Sequence, residues 1–401
     1  MGFSQAVSGL NAASNNLNVI GNNIANSETS GFKSASVSFA DVYASSQVGL
    51  GVKVASVSQN FKDGTVNTTD NNLNVAISNS GFFRLTDASG SVYYSRNGDW
   101  HLDPERNLVT TSGLNVTGYA ATGTPPTIQQ GANPVNLTIP TTGMTAKATT
   151  TGSMTLKLNS GSAILDDTKF SAADTTSYSF AQPLTTYDSL GNPHNMSFYF
   201  VKTADNTWKV HSIDGSDSTG TVDDLGTLSF DTNGQLTGTD NFNVAMSGVN
   251  GSLAGAFNIS FKGSQQQYTT TSSVSGQDQN GYYAGDLTKY AINDDGTITG
   301  TYSNGQNQLL GQIVLANFAN PQGLKSDGNN VWTATSASGQ AVVGTAGSGN
   351  FGSLTPEALE SSNVDLSKEL VNLIVAQRDY QSNAQTIKAQ DTIMQTLVNL
   401  S

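Results

Sequence analysis

The sequence predicts a multi-domain protein. N- and C-terminal α-helices pair as a coiled-coil core domain, and two mainly antiparallel β domains are nested in the middle of the chain. Three observations carry this reading. Apolar residues recur at helical spacing at both ends. The middle repeats one short turn motif between alternating, strand-like flanks. Two connector-like stretches divide that middle into an inner and an outer part.

At the N-terminus, Ala6, Leu10, Ala13, Leu17, Ile20 and Ile24 alternate steps of four and three, a helical stripe of heptad type. Asn11, Asn15, Asn18, Asn22 and Asn26 step similarly and, at about 100° per residue, form a second stripe roughly opposite Leu10, Leu17, Ile20 and Ile24. Between Met1 and Ser27 there is no charge. A helix open to water would carry Glu and Lys. An amide face suits a helix pressed against other chains, because an amide donates and accepts without a desolvated charge.

At the C-terminus, Leu366, Leu370, Leu373, Tyr380, Ala384, Ile387, Met394 and Val398 repeat the heptad spacing, with Gln377 and Asp391 as polar interruptions. Asn363 or Asp365 can cap this helix, which from Leu366 to Leu400 spans about 50 Å. A second apolar set, Val375, Ala389, Ile393 and Leu400, lies roughly opposite the first. Helices that are apolar or uncharged most of the way round are enclosed by neighbours. One helix pair cannot enclose itself, so self-assembly is the expectation.

The turn motif appears as LDPERNL (102–108), FDTNGQL (230–236) and INDDGTI (292–298), with looser copies in TDASGSV (86–92) and YDSLGNP (187–193). Asp opens a tight turn and Gly or Asn tolerates the left-handed position, so each reads as a hairpin. Residues from about 71 to 353 therefore read as antiparallel β. GTPPTIQQGANPVNLTIPTTG (123–143) and TSSVSGQDQNGYYAGD (271–286) read as outgoing and returning connectors. The expected domains are 1–28 with 364–401 (helical), 29–70 with 354–363 (linking), 71–144 with 285–353 (inner β) and 145–284 (outer β).

Composition narrows the function. The 401 residues carry 17 Lys+Arg against 30 Asp+Glu, net −13, which argues against nucleic acid or an anionic membrane as partner. There is no Cys, so thiolate chemistry and disulfides are out. No stretch approaches the roughly 18 apolar residues of a membrane span. The first basic residue is Lys33, so the start lacks the basic region of a cleaved signal.

Sites of chemistry are absent from the pattern. GSGNFG (347–352) satisfies a dinucleotide-loop spacing, but SLTPEAL follows it rather than a helix opening on the loop. DTNG (231–234) starts like a calcium loop without the downstream Glu. His101, His194 and His211 are scattered. The reading is a non-enzyme without cofactor or metal.

At ANSETSGFK (25–33) the chain resembles the signature of bacterial flagellar axial proteins, the family of rod, hook and hook-associated subunits. Asn22, Asn23, Ile24, Ala25, Asn26, Thr29, Gly31, Phe32 and Lys33 carry it. SSNVDLSKELVNLIVAQRDYQSNAQTIK (361–388) looks like the matching end motif through Asn363, Val364, Gln377, Arg378, Tyr380 and Ala384. VAISNSGFFRL (75–85) and YSRNGDW (94–100) are similar to the body shared by rod and hook members, with Trp100 where Phe is usual. The resemblance spans the chain, and the outer β module points to the hook branch.

The resemblance implies a structural subunit that polymerises into a short curved tube outside the cell, a universal joint passing torque from rod to filament. It implies export without a cleaved signal through the flagellar type III apparatus. Implied partners are further copies of the chain, the distal rod, the hook cap and the hook–filament junction proteins. Alternatives are another axial subunit, rod or junction, and a secreted carbohydrate-binding or hydrolytic β protein. The candidate assembly interface is Leu10, Asn15, Leu17, Asn22, Ile24, Asn26, Gly31, Phe32, Lys33, Leu366, Leu370, Leu373, Gln377, Arg378, Tyr380, Ile387 and Met394.

Overall fold

The computed structural model describes residues 2–42, 49–216 and 220–400. The side chains of Val398 and Leu400 lie outside the described residues. The chain divides into two compact units, Met1–Thr141 with Lys289–Thr301 and Asn307–Ser401, and Thr142–Thr288 with Tyr302–Gln306.

In the first unit, helix α1 spans Gly2–Ala25 and helix α2 spans Leu366–Leu400. They pack on each other, and α1 also lies against a two-stranded antiparallel ribbon, Ala35–Val42 with Gly51–Gln59. Strand structure thus begins before residue 71, inside the expected linking segment. Period-2 alternation is visible there only as ASVSF and VKV, runs too short to stand out beside the long β body.

The β core of this unit is a sheet of thirteen strands among the described residues. Its central strands, Phe82–Thr86, Asn115–Thr122 and Asn307–Asn317, pair across long sequence distances. They bury Phe83, Leu85, Val116, Ile313, Val314 and Leu315 completely. A second cluster gathers Phe82, Tyr94, Ala316, Phe318 and Trp332, with Phe61 packed against it. Its rings meet edge to face, Phe61 on Phe82 at 5.3 Å and on Trp332 at 5.6 Å, an arrangement favoured by the ring quadrupoles.

The second unit is a sandwich of two five-stranded sheets. Strand Asn241–Met246 alternates exposed and buried at every position, and Pro193–Ala204 does so over most of its length. The inward residues of both sheets, among them Leu156, Phe198, Trp208, Phe257 and Ile259, form one core. Not every pairing is antiparallel. Thr151–Asn159 runs parallel to Gly255–Ser260 and to Gln265–Gln267. Between the first strand and its parallel partners the chain builds the whole other sheet. That detour is the long connection a parallel pair needs, and local turn signals do not reveal it.

All five turn motifs close as tight turns. In the four motifs that open on Asp, that opening carboxylate accepts from the turn's backbone, as Asp231 does from Asn233 and Gln235 at 2.8 Å each. The left-handed position is Gly90, Gly191, Gly234 or Gly296, and in LDPERNL it is Arg106 at φ 66. In that copy Asn107 reaches back to Asp103 through its backbone at 2.7 Å and its side chain at 2.8 Å, and in INDDGTI, which Asn293 opens, the acceptor is Asp295, from Thr297 N at 2.9 Å.

Candidate assembly surface and the charged node beneath it

The apolar stripe of α1 faces inward. Ala6, Ala13 and Ile20 are buried, and Leu10, Leu17 and Ile24 are half-buried. The amide stripe faces out: Asn15 and Asn22 are exposed and Asn26 is half-buried. Within the single chain, Asn15 and Asn26 donate to the carbonyls of Asn11 and Asn22, four residues back, at 2.9 Å.

α2 is turned differently from the heptad expectation. Leu366, Leu370, Tyr380 and Met394 are exposed, as are Gln377 and Arg378, while Leu373 and Ile387 are half-buried. The buried position is Ala376, at 1% exposure. The face toward α1 is small and polar. Asn383 abuts Gly9, where a Cβ would lie 2.7 Å from its side-chain oxygen, and Glu369 lies 3.5 Å from the Asn23 amide. Small residues let the helices approach closely, which leaves the bulky set Leu366, Leu370, Val371, Ile374 and Val375 pointing outward. Two clefts of about 280 and 500 Å³ open between α1, α2 and the ribbon, sharing Asn16, Phe39 and Ala376.

Asp365 caps α2 by accepting from Lys368 N at 3.1 Å. Asn363 does something else. It accepts from Ser34 N at 2.8 Å and donates to the carbonyls of Asn60 and Lys62 at 2.7 and 2.9 Å.

Gly31, Phe32 and Lys33 enter the body rather than the surface. Gly31 sits at φ 69, and a Cβ there would lie 2.6 Å from the Asn97 nitrogen, so only glycine fits. Phe32 is half-buried. Lys33 is 1% exposed and donates to Glu360 Oε1 and to the Lys62 carbonyl, both at 2.7 Å. Glu360 also accepts from Arg96 Nε at 3.1 Å and from Gly64 N at 2.8 Å. Arg96 spends its remaining donors on Asp63 and on the carbonyls of Asn79 and Gly81. Two cations thus face two anions. Burial pulls the Lys33 ammonium below its ordinary pKa, neighbouring Arg96 adds to this, and Glu360 opposes both.

Asn23, Asp63, Arg96 and Glu360 were not among the sequence-predicted site residues. Asn23 and Arg96 stand inside the motifs quoted above, but Glu360 in EALESSNV reads as an ordinary surface charge. Among the described residues no side-chain group is arranged to hold a metal ion, and no helix is long and apolar enough to cross a membrane.

Comparison with known proteins fits this arrangement of two ends around a β body. Four family descriptions match in order: flagella basal body rod protein at 4–33, flagellar hook protein FlgE/F/G D1 domain at 76–156, flagellar basal body protein FlaE D2 domain at 156–282, and flagellar basal body rod FlgEFG protein C-terminal at 355–400. Flagellar hook protein FlgE of Escherichia coli is 60% identical over 401 residues, covering all of both chains. That of Salmonella typhimurium is 60% identical over 402 residues, again covering all of both. That of Rhizobium meliloti is 33% identical, covering 98% of this chain and 97% of its own. In fold, the crystal structure of Helicobacter pylori flagellar hook protein FlgE2 aligns with TM-score 0.55 at 13% identity, covering 74% of this chain and 100% of its own. With full-length identity of 60% to two such proteins, the chain belongs to the family of flagellar hook protein FlgE.

Proposed function

We propose that the chain is the structural subunit of the bacterial flagellar hook. It self-assembles into a curved tube that works as a universal joint between rod and filament. Supporting this is one observation above the others: α2 leaves Leu366, Leu370, Val371, Ile374 and Val375 exposed along its first turns. An apolar face this continuous on a helix already packed on one side calls for further partners, and a polymer supplies them as copies of the same chain.

In this reading α1 and α2 form the coiled-coil core of the tube wall. Leu10, Leu17 and Ile24 with Leu373 and Ile387 make the seam within a subunit. Leu366, Leu370, Tyr380 and Met394, with Gln377, Arg378 and the amide stripe Asn15, Asn22 and Asn26, make contacts between subunits. Gly31, Phe32 and Lys33 set where the arm enters the body. The distal rod, the hook cap and the hook–filament junction proteins are the end partners, and the type III apparatus exports the chain without a cleaved signal.

Negative-stain electron microscopy of concentrated protein tests the reading. Curved tubes or fibres are the expected result. Persistent monomers, with or without glycan binding, would refute it.

A further inference from the structure

Lys33, Asp63, Arg96 and Glu360 come from four separate chain segments and meet at one place. Lys33 ends the arm that follows α1. Asp63 lies in the connection after the ribbon. Arg96 follows strand Val92–Ser95 of the inner β core, and Glu360 ends the strand Ala358–Glu360 that precedes α2. The side chains of Lys33, Arg96 and Glu360 are 1%, 3% and 0% exposed. Apolar side chains of similar volume would pack there at no net loss, and often with a gain. Charges retained in such a place fix geometry, because each must meet its partner or stand alone in a dry interior.

We propose that this node positions both terminal segments for assembly. It makes residues 31–34, 60–64 and 358–363 one piece with the inner β core. Because Asn23 ties α1 to Ala35 of the ribbon, the helices and ribbon then move against that core together, and that movement is confined to the crossings at 26–29, 34–35, 59–60 and 364–365. The proposal rests on the hook-subunit reading above.

Backbone bonds follow the same boundary. Gly31 N donates to Glu360 O at 2.7 Å, and Ser361 N to Thr65 O at 2.8 Å. Asn363 bridges Ser34, Asn60 and Lys62, and Phe61 sits edge-on to Phe82 and Trp332. In the crossing at 26–29, by contrast, the backbone amides of Ser27 and Thr29 reach only Ile24 O and Asn26 O, at the end of α1 itself.

The test uses the full-length chain as wild type, Lys33→Met, Glu360→Gln and the double variant. Each single leaves one uncompensated charge. The double returns the node to zero, with Arg96 facing Asp63. Hydrogen exchange on the monomer should show peptides 29–36, 58–66 and 356–363 opening at least tenfold faster in each single. The double should recover most of that protection, and peptides of the second unit should not change. Tubes grown from the singles should differ in curvature or helical repeat. The proposal is overturned by wild-type exchange in the singles, by wild-type tube geometry, or by a double no better protected than the worse single. Should Glu360→Gln fail to fold, exchange in the buried central strands Phe82–Thr86 and Asn307–Asn317 will reveal it and Lys33→Met decides alone. A wild type that forms no tubes counts against the hook reading, whereas the monomer exchange data judge the node by themselves.

Discussion

Asn23 and Ala35 are joined twice: the Asn23 side-chain oxygen accepts from the Ala35 amide at 2.9 Å, and its nitrogen donates to the Ala35 carbonyl at 2.8 Å. One side chain from the last turns of α1 therefore acts as a strand partner for the first residue of the ribbon. Asn23 is 1% exposed, so water cannot take over either bond.

Asn23→Ala should leave both Ala35 groups unmet, at about 1–3 kcal/mol for each buried group. Exchange of the ribbon amides is expected to rise sharply while the β core holds. Unchanged exchange at Ala35 would show that the double bond carries no stability.

Leu366→Ala with Leu370→Ala should separate assembly from folding. Both side chains are more than two-fifths exposed, at 44% and 45%. Monomer stability should stay within about 0.5 kcal/mol of wild type. The critical concentration for polymerisation should rise at least tenfold, the equivalent of about 1.4 kcal/mol. A pair that melts early yet assembles normally would place these residues in a fold core instead.

Before assembly, α2 has little to hold it beyond one narrow seam with α1. A lone helix is marginal in water, and ordering each residue costs about 1–2 kcal/mol of backbone entropy. Limited proteolysis of dilute monomer should trim residues beyond about 365 first, leaving a resistant β body with α1 still held on its ribbon by Asn23. Resistance beyond residue 365 would contradict this.

Asn15→Leu with Asn22→Leu addresses the amide stripe. Both are exposed in the single chain, so the monomer should fold as before. Ordered tubes should give way to irregular aggregates, visible by electron microscopy, because leucine removes register-specific hydrogen bonds and adds non-directional stickiness. Normal tubes would place the stripe on an open surface.

The second unit should be acid-sensitive through Asp188. Burial alone would raise this carboxyl. Hydrogen bonds from Ser252, Asn192 and Leu190 overcome that and hold it well below the usual carboxylate range. A depressed folded pKa gives stability that is present above the unfolded value, about 3.9, and lost as pH falls through the folded one. Thermal melts of the second unit should therefore decline from about pH 4 downward, and Asp188→Asn should flatten that slope while lowering stability at pH 7. An unaltered slope in the variant would assign the acid loss to other carboxylates.

Much of this architecture is legible in the sequence because it is local. α2 begins at Leu366 and ends at Leu400 as the spacing indicates, since helical periodicity and the Asp365 cap are short-range signals. The five turns are legible for the same reason. The direction of α2's inward face is not. Heptad spacing marks Leu366 and Leu370, but the contact with α1 selects Ala376 and Asn383, because close approach rewards small side chains. The charged node is illegible for another reason. Lys33 and Glu360 are separated by 327 positions, and nothing local tells a buried glutamate from a solvated one. The parallel strands of the second unit escape notice likewise, because their pairing depends on where the chain returns.

α1 has no acidic residue in its first turn and no basic residue in its last, and no charge between Met1 and Ser27. Dissolved ions weaken attraction between exposed charges over a Debye length of roughly 10 Å at 0.1 M. Contacts built from amides and hydrocarbon offer them nothing to weaken. In the proposed tube, contacts made by α1 should hold equally well in dilute fresh water and in brine, because that helix offers no charge of its own for salt to act on.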